Sequence, residues 1–151
     1  NVHATRYAYY SDLPETEDNW SDLDFIKKTQ KGSNVGQRMA NAMAETLPFH
    51  EKVVLIGSDL PQISAEIIEA AFSHLDHADI VLGPAFDGGY YLIGMKEFNP
   101  ALFQNVTWST SLVFKQTARI IESLGQSWSR LPALPDIDTE EDWEKYGWEI
   151  L

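Results

Sequence analysis

The sequence has no cysteine and few basic residues, and both shortages restrict what the protein can do. Without cysteine there are no disulfide bonds, no thiolate metal sites and no cysteine nucleophiles. This composition is typical of a reducing compartment, so we expect a cytoplasmic location. Lys and Arg number 11 against 23 Asp and Glu, which gives a formal net charge of −12. Because nucleic-acid backbones are bound by an excess of positive side chains, we expect no nucleic-acid partner.

Long apolar runs are also missing. None approaches the roughly 20 residues that a membrane-spanning helix needs, so we expect no membrane span. The 151 residues, 44% of them hydrophobic, are enough for one domain with a substantial core. An acidic protein of this size can still bind a small phosphate ligand if it brings a cation to the site. Local basic residues or a metal held by carboxylates would supply that cation.

Several familiar catalytic patterns are absent as well. The four histidines show no zinc-ligand spacing, and no serine lies in a nucleophile-elbow pattern. The spacing of Gly32 and Gly36 matches neither a Walker loop nor a dinucleotide fingerprint, so the glycine loop alone has low specificity. We therefore expect neither a zinc enzyme nor a serine hydrolase.

Strand-like and helix-like segments alternate along the chain. Short aliphatic runs such as Val53–Ile56 predict buried strands. Apolar residues at helical spacing after Asn34, Ser64, and Thr110 or Ser111 predict capped helices. This rhythm predicts an α/β fold with a mostly parallel sheet flanked by helices. The predicted strands are 2–10, 25–29, 52–56, 79–82, 90–95 and 127–131, and the predicted long helices are 35–47, 65–75 and 110–124.

Two acidic turns follow predicted strands. Ser58 and Asp59 come after strand 52–56, and Asp87 comes after strand 79–82. Because ligands of open α/β sheets collect at the carboxyl ends of the strands, we predict a cation site there, with Asp59 as the central metal ligand. Mg²⁺ or Mn²⁺ is the expected cofactor, since Mg²⁺ is usually held by one or two carboxylates together with substrate phosphates. The alternative is that Asp59 caps the following turn and that Asp87 is only a turn residue.

The densest acidic stretch lies near the end of the chain. Asp136 and Asp138 share one side of an extended segment, because side chains alternate with period two, and they could give the metal a second carboxylate. Helix initiation is the alternative role, since acidic residues favour the first turn of a helix. Thr139 and Asp142 have the spacing of a capping box and predict a short terminal helix.

Glycines mark two further candidate sites. Residues 30–39 form a glycine-bearing loop before a helix start, where backbone N–H groups favour anions, and Lys31 and Arg38 are the nearest cations. The alternative is a surface loop with an ordinary helix cap. The pair Gly88 and Gly89 is typical of backbone that approaches a ligand closely, or of a hairpin turn that needs positive φ.

Four sequence strings occur in a fixed order, namely VVLIGSDLPQIS, GPAFDGGYYLIGM, VTWSTSLVF and LPDIDTEEDW. Together they resemble an uncharacterised family of glycosyltransferase-like proteins with the GT-A, or nucleotide-diphospho-sugar transferase, fold. Relatives of that fold include the molybdenum-cofactor guanylyltransferases and the phospholactate guanylyltransferases. The loop QKGSNVGQRM also resembles the family's Gln-x-Gly-x-x-x-Gly-x-Arg-Met element, and the resemblance covers roughly residues 25–143.

The resemblance implies roles for individual residues. Asp59 stands where GT-A enzymes place a metal-binding aspartate, and Asp87 would lie across the cleft near metal or acceptor, so these two are the candidate catalytic residues. Asp136 and Asp138 match a terminal acidic motif and join Asp59 as candidate metal ligands. Nucleotide contacts are implied for Gln30, Gly32, Gly36, Arg38 and Ser58, and substrate contacts for Gly88, Gly89, Tyr90, Trp108 and Thr110.

The resemblance also implies a missing piece. Domains of this fold begin with a hydrophobic strand and a loop bearing Gly and Lys or Arg, which binds the nucleotide phosphates. This sequence begins at the family's second strand with Asn1. We therefore expect residues 1–151 to form a single GT-A-like domain that lacks the first strand and is incomplete at its N-terminus. Either the full protein carries that piece or the protein has lost it.

The function we expect is a metal-dependent transfer from a nucleotide-activated donor, most simply by a nucleotide-sugar glycosyltransferase acting on a small-molecule acceptor. One alternative is a nucleotidyltransferase that joins a nucleoside triphosphate to a phosphorylated acceptor and releases pyrophosphate. Another is a non-catalytic nucleotide-binding or interaction module, because fold likeness alone does not fix a reaction. A homodimer is left open.

Overall fold

The computed structural model describes residues 2–12, 18 and 22–147. Within that part of the chain, six strands and four α helices follow the predicted alternation, although most elements are shorter than predicted. The first strand shrinks most, since only the last four of its predicted residues pair. The strands are β1 (Tyr7–Tyr10), β2 (Ile26–Thr29), β3 (Val53–Ile56), β4 (Ile80–Pro84), β5 (Tyr90–Met95) and β6 (Trp128–Arg130). The helices are α1 (Val35–Thr46), α2 (Ala65–His74), α3 (Val113–Ser123) and α4 (Glu140–Tyr146).

The strands form two sheets, and the larger one is mixed. Strands β1 and β2 pair in parallel, while the larger sheet has the order β3-β5-β4-β6. Strand β5 is antiparallel to both of its neighbours, and only β4 and β6 pair in parallel. The α/β class is confirmed, but the expectation of a mostly parallel sheet was wrong. Only segment 85–89 joins β4 to β5, whereas a parallel connection needs a dozen or more residues.

Three of the predicted helix caps are present, whereas α3 begins without the side-chain cap predicted at Thr110 or Ser111. The side chain of Asn34 accepts a hydrogen bond from the Gln37 N–H, and Ser64 caps α2 in the same way. Thr139 and Asp142 form the predicted capping box of α4. Helix α3 starts later than predicted because the Thr110 side chain bonds within its own turn, so the first helical residue is Val113.

Helices cover both faces of the larger sheet. Ile80 and Leu82 point into a cluster with residues of α1 and α3, whereas Val81 points to the other face and packs with residues of α2. Strand β3 alternates in the same way between the two clusters, and its residues are half-buried because β3 is an edge strand of this sheet. Two buried faces explain why these strands are continuous aliphatic runs.

Three strands of the larger sheet end at the same edge. Strands β3 and β4 both run opposite to β5, and β6 runs with β4, so their carboxyl ends lie on one side. The acidic turns that follow these strands therefore emerge from one edge of a buried sheet, as the strand pattern predicted. In the part of the chain that the structure describes, none of the helices is both long and apolar enough to cross a membrane.

Candidate functional site

Asp87 lies in the hairpin that joins β4 to β5. The backbone N–H of Ala85 donates to the carbonyl oxygen of Gly89 at 3.0 Å, and the Gly88 N–H donates to the carbonyl oxygen of Ala85 at 3.2 Å. The N–H of Gly89 also donates to Asp87 Oδ1 at 2.7 Å. These bonds fix the turn, and they orient an aspartate whose side chain is exposed.

Gly88 anchors this hairpin to the start of α3. Its φ is +92°, and a Cβ at this position would lie 2.2 Å from the backbone oxygen of Ser111. The Gly88 carbonyl oxygen accepts a hydrogen bond from the Phe114 N–H at 2.9 Å. The close approach that the glycine pair predicted is thus made here to the protein's own backbone. The predicted substrate contacts of Gly88 and Gly89 stay predictions.

The chain after β6 brings two more aspartates to the hairpin. Beyond the paired residues of β6 the chain continues beside β4, and the carbonyl oxygen of Leu134 accepts a hydrogen bond from the Phe86 N–H at 3.1 Å. This pairing extends past the carboxyl end of β4 and carries Asp136 and Asp138 alongside Asp87. Backbone hydrogen bonds therefore hold both acidic segments in register.

Asp87, Asp136 and Asp138 form a compact acidic group. Each offers one carboxylate oxygen, and these atoms all lie within 4.8 Å of one another. Oxygens on opposite sides of an octahedral Mg²⁺ are about 4.2 Å apart, given ligand distances near 2.1 Å. Because the 4.8 Å limit exceeds this span, the three carboxylates would have to close slightly to bind one hard divalent cation. One residue predicted to be catalytic and two predicted to be metal ligands come together in this group.

The electrostatics of the group are unfavourable without a counter-charge. Burial raises the pKa of Asp136, and the neighbouring carboxyls of Asp87 and Asp138 raise it further. Asp142 differs, because its Oδ2 accepts from Thr139 Oγ1 at 2.7 Å, and this hydrogen bond lowers the Asp142 pKa. A cation bound between the three clustered carboxylates would offset their mutual repulsion.

Asp59 and Ser58 lie next to this group without belonging to it. The carbonyl oxygen of Asp59 accepts a hydrogen bond from the backbone N–H of Ile137 at 3.4 Å, which places Asp59 beside the segment that carries Asp136 and Asp138. The Asp59 carboxylate is exposed and accepts a hydrogen bond from Ser58 Oγ at 3.0 Å. The predicted role of Asp59 as the central ligand stays a prediction, and so does the nucleotide contact of Ser58.

The glycine loop before α1 is closed by its own side chains. Arg38 Nε donates to the carbonyl oxygen of Gly32 at 3.2 Å, and Arg38 Nη1 donates to Gln30 Oε1 at 3.4 Å. Gln30 Nε2 also donates to the carbonyl oxygen of Tyr9 in β1 at 3.1 Å. In the described residues these side chains form no hydrogen bond to the acidic group. The nucleotide contacts predicted for Gln30, Gly32 and Arg38 stay predictions.

Gly36, Trp108 and Tyr90 pack together in the core. A Cβ on Gly36 would lie 2.2 Å from the Trp108 indole, so only glycine lets the ring approach α1 this closely. The rings of Trp108 and Tyr90 meet edge to face at 6.5 Å between centroids. The hydroxyl of Tyr90 is buried and has no hydrogen-bond partner within the described part of the chain, and this burial raises its pKa. The structure thus gives these residues a packing role, while their predicted ligand contacts stay predictions.

Thr110 stabilises the turn that precedes α3. Its Oγ1 donates to the carbonyl oxygen of Thr107 at 2.6 Å and accepts from the Leu112 N–H at 3.3 Å. This turn supports the segment on which the Gly88 hairpin rests. A substrate contact of Thr110 stays a prediction.

Two aromatic residues at the acidic group were missed by sequence reasoning. Phe86 and Tyr146 meet edge to face at 6.1 Å between ring centroids. Together with Asp87, Asp136 and Asp138 they line a cleft of about 250 Å³. Phe86 could have been identified from the sequence, because it directly precedes Asp87. Tyr146 reaches the site through a contact between α4 and the hairpin that is distant in sequence, and no local pattern predicts it.

Fold and site together define an α/β protein with an acidic cleft at the carboxyl edge of a mixed sheet. Residues 2–110 match the family described as "Uncharacterized protein conserved in bacteria (DUF2064)". The match covers well over half of the chain, so the protein belongs to this family. A comparison with curated proteins gives no match.

Solved structures give the same fold. The chain is similar to a protein from Desulfovibrio desulfuricans described as a "putative nucleotide-diphospho-sugar transferase", with 34% sequence identity and a TM-score of 0.83. That match covers 91% of this chain and 63% of the other, so the chain spans less than two thirds of this relative. A second similar structure is a mycobacterial homologue of Mycobacterium tuberculosis rv0371c, with 20% identity and a TM-score of 0.53 over 84% of this chain and 64% of that one. At this identity the second likeness shows only the fold.

Proposed function

We propose that this protein is a metal-dependent transferase that uses a nucleotide-activated donor, with a nucleotide sugar as the donor. The observation that carries the proposal is the acidic group, in which oxygens of Asp87, Asp136 and Asp138 lie within 4.8 Å of one another at the carboxyl edge of the sheet. The relative from Desulfovibrio desulfuricans supports the nucleotide-sugar donor, because its description names that class of transferase.

Asp87, Asp136 and Asp138 would hold Mg²⁺ or Mn²⁺, with Asp59 beside them as a further candidate ligand. A divalent cation at this point would neutralise charge that builds on the donor phosphates as they leave. The protein's contribution is to position the carboxylates. A hydrogen bond from the Gly89 N–H orients the Asp87 carboxylate, and backbone hydrogen bonds hold the segment that carries Asp136 and Asp138, so less reorganisation is needed on binding.

The proposed reaction is a group transfer at a sugar carbon. An acceptor hydroxyl attacks that carbon, the bond between the carbon and the phosphate oxygen breaks, and a nucleoside diphosphate leaves. The acceptor proton must go to a nearby base, and the candidate is the Asp87 carboxylate oxygen that does not bind the cation, because this side chain is exposed to the cleft. Transfer of a nucleotidyl group would instead break a bond at the α-phosphate of a nucleoside triphosphate.

Calorimetry with the full-length protein tests the proposal. UDP, GDP and GTP are titrated with and without Mg²⁺ or Mn²⁺, into the wild type and into the variants Asp87→Asn and Asp59→Ala. We expect binding of a nucleoside diphosphate that needs the metal and is lost in Asp87→Asn. The Asp59→Ala variant tests separately whether Asp59 is a ligand.

A matched control is Glu141→Gln, which removes one negative charge from the exposed first turn of α4 outside the acidic group. We expect this variant to bind as the wild type does. Preferred binding of GTP would favour nucleotidyl transfer. A well-folded protein that binds no nucleotide in the presence of metal would contradict the transferase and leave a non-catalytic module.

A further inference from the structure

Phe86 is unusually exposed for an aromatic side chain in a well-packed region. It is 60% exposed, although its backbone is held on both sides by the β4–β5 hairpin and the segment after β6. Buried apolar area is the usual source of stability, so an ordered phenyl ring left in water gains little for the fold. A single exposed apolar residue needs no explanation by itself, but this one lies at the mouth of the acidic cleft.

The orientation of the ring is fixed by its neighbour. Tyr146, the last residue of α4, meets Phe86 at an interplanar angle of 80°, so the edge of one ring faces the other. Lys145 lies 4.9 Å from the centroid of the Tyr146 ring, which restrains the tyrosine in turn. The two rings therefore form an apolar wall of the cleft, and the side chains of Asp87, Asp136, Asp138 and Asp142 form its charged part.

We propose that Phe86 and Tyr146 form the binding wall for the sugar ring of the donor, and that Phe86 determines affinity for that sugar. This proposal rests on the proposed function. The cleft of about 250 Å³ is smaller than the pockets that enclose whole drug-sized ligands, so it suits one ring of the substrate better than an entire nucleotide sugar.

Chemical connectivity restricts which ring of the donor that can be. Phe86 is the residue next to Asp87, so a group against the phenyl ring would lie close to a phosphate that a cation holds at the carboxylates. In a nucleotide sugar, the transferred sugar and the ribose each adjoin a phosphate, whereas the nucleobase lies beyond the ribose, so connectivity excludes the nucleobase. A free nucleoside diphosphate carries the ribose without the transferred sugar, and comparing it with its sugar conjugate therefore separates the two rings. Aromatic faces carry negative potential and attract the polarised C–H groups on the apolar face of a sugar.

The test compares a nucleoside diphosphate with its sugar conjugates. Calorimetry in Mn²⁺ measures the Kd of UDP and GDP, and of UDP-glucose and GDP-mannose, for the wild type and for Phe86→Ala. We expect Phe86→Ala to weaken binding of the preferred nucleotide sugar by about tenfold or more and to leave binding of the free nucleoside diphosphate unchanged. Phe86→Tyr keeps the ring and should restore the affinity for the sugar conjugate.

The control is Phe49→Ala, which removes a phenyl ring that is 76% exposed and lies in the short 3-10 helix after α1. This variant should bind both ligands as the wild type does. Equal losses for the diphosphate and its sugar conjugate in Phe86→Ala, or no loss for either, would overturn the proposal. Failure of the wild type to bind any nucleotide would instead overturn the proposed function on which it rests.

Discussion

The indole of Trp108 lies directly against Gly36 in α1. A Cβ on Gly36 would come within 2.2 Å of Cε2 of the indole and 2.3 Å of Nε1, distances that no real side chain tolerates. Trp108 in turn packs on Tyr90, so one contact links α1, the turn before α3 and the first residue of β5. Residues from three separated motifs of the sequence thus share one packing interaction.

Gly36→Ala should therefore destabilise the protein by about 1–3 kcal/mol, the usual cost of overpacking a core. Thermal or urea unfolding measures the change. Gly57→Ala is the matched control, because the nearest atoms to its Cβ lie at 3.9 Å and 4.0 Å and its φ is not in the left-handed region. Equal stability of the two variants would contradict the packing role of Gly36.

Gly88→Ala should displace the Asp87 hairpin. The added Cβ would meet the Ser111 backbone at 2.2 Å, and the residue would have to keep a φ of +92°. We expect a loss of stability of at least 1–2 kcal/mol, together with weaker cation binding, because the position of Asp87 depends on this contact. The measurements are urea unfolding and Mn²⁺ titration.

Gly125→Ala separates the effect of backbone strain from the effect of the contact with Ser111. Gly125 has a φ of +67°, but nothing lies within 4 Å of its added Cβ. The variant should lose about 1 kcal/mol through backbone strain alone and keep its cation affinity. If Gly88→Ala also keeps full cation affinity, the hairpin contact does not position Asp87.

Asp136→Asn should raise the melting temperature when no divalent cation is present. Burial, then Asp87 and Asp138, raise the pKa of Asp136 in the folded protein. The folded state therefore binds more protons than the unfolded state between the ordinary pKa and the raised one, and stability falls as pH rises through that window. Asparagine does not titrate, so Asp136→Asn removes this loss of stability. The control Glu141→Gln should melt as the wild type does at pH 7, and a lower melting temperature for Asp136→Asn would contradict the account.

Asp79 gives the opposite pH dependence. Its carboxylate accepts hydrogen bonds from the Ser127 N–H and from Ser127 Oγ, both at 2.8 Å, which lower the Asp79 pKa. The stabilisation is present above the unfolded pKa of about 3.9 and is lost as pH falls through the lower folded value. Asp79→Ala should cost about 1 kcal/mol at pH 7, and the difference from wild type should shrink below about pH 4. Urea unfolding across this pH range measures the difference in stability between the wild type and Asp79→Ala. A difference that does not change with pH would contradict the lowered pKa of Asp79.

Local chemistry made much of the fold predictable. Asn34, Ser64 and Thr139 each cap the helix that follows them, because the bond that defines a cap joins residues three apart in sequence. The direction of β5 was mispredicted for a different reason. Strand periodicity is the same in parallel and antiparallel strands, and only the length of segment 85–89 distinguishes them.

The site was predictable only in part. Asp87 was selected because it follows a strand end, whereas Asp136 and Asp138 were selected because they share one side of an extended acidic segment. The parallel pairing of β4 with the chain after β6 brings the three together. The wall of Phe86 and Tyr146 depends on a ring contact between α4 and the hairpin, which is a long-range contact. Such contacts leave no periodic trace in the sequence.

The central claim is that Asp87, Asp136 and Asp138 bind one divalent cation, and Mn²⁺ titration followed by electron paramagnetic resonance tests it most directly. The free-Mn²⁺ signal falls as the ion binds, so the titration gives both stoichiometry and Kd. We expect one site in the full-length protein, with affinity lowered at least tenfold in Asp136→Asn and unchanged in Glu141→Gln. Equal Mn²⁺ binding by the wild type and Asp136→Asn, or no binding by the wild type with nucleotide present, would contradict the account.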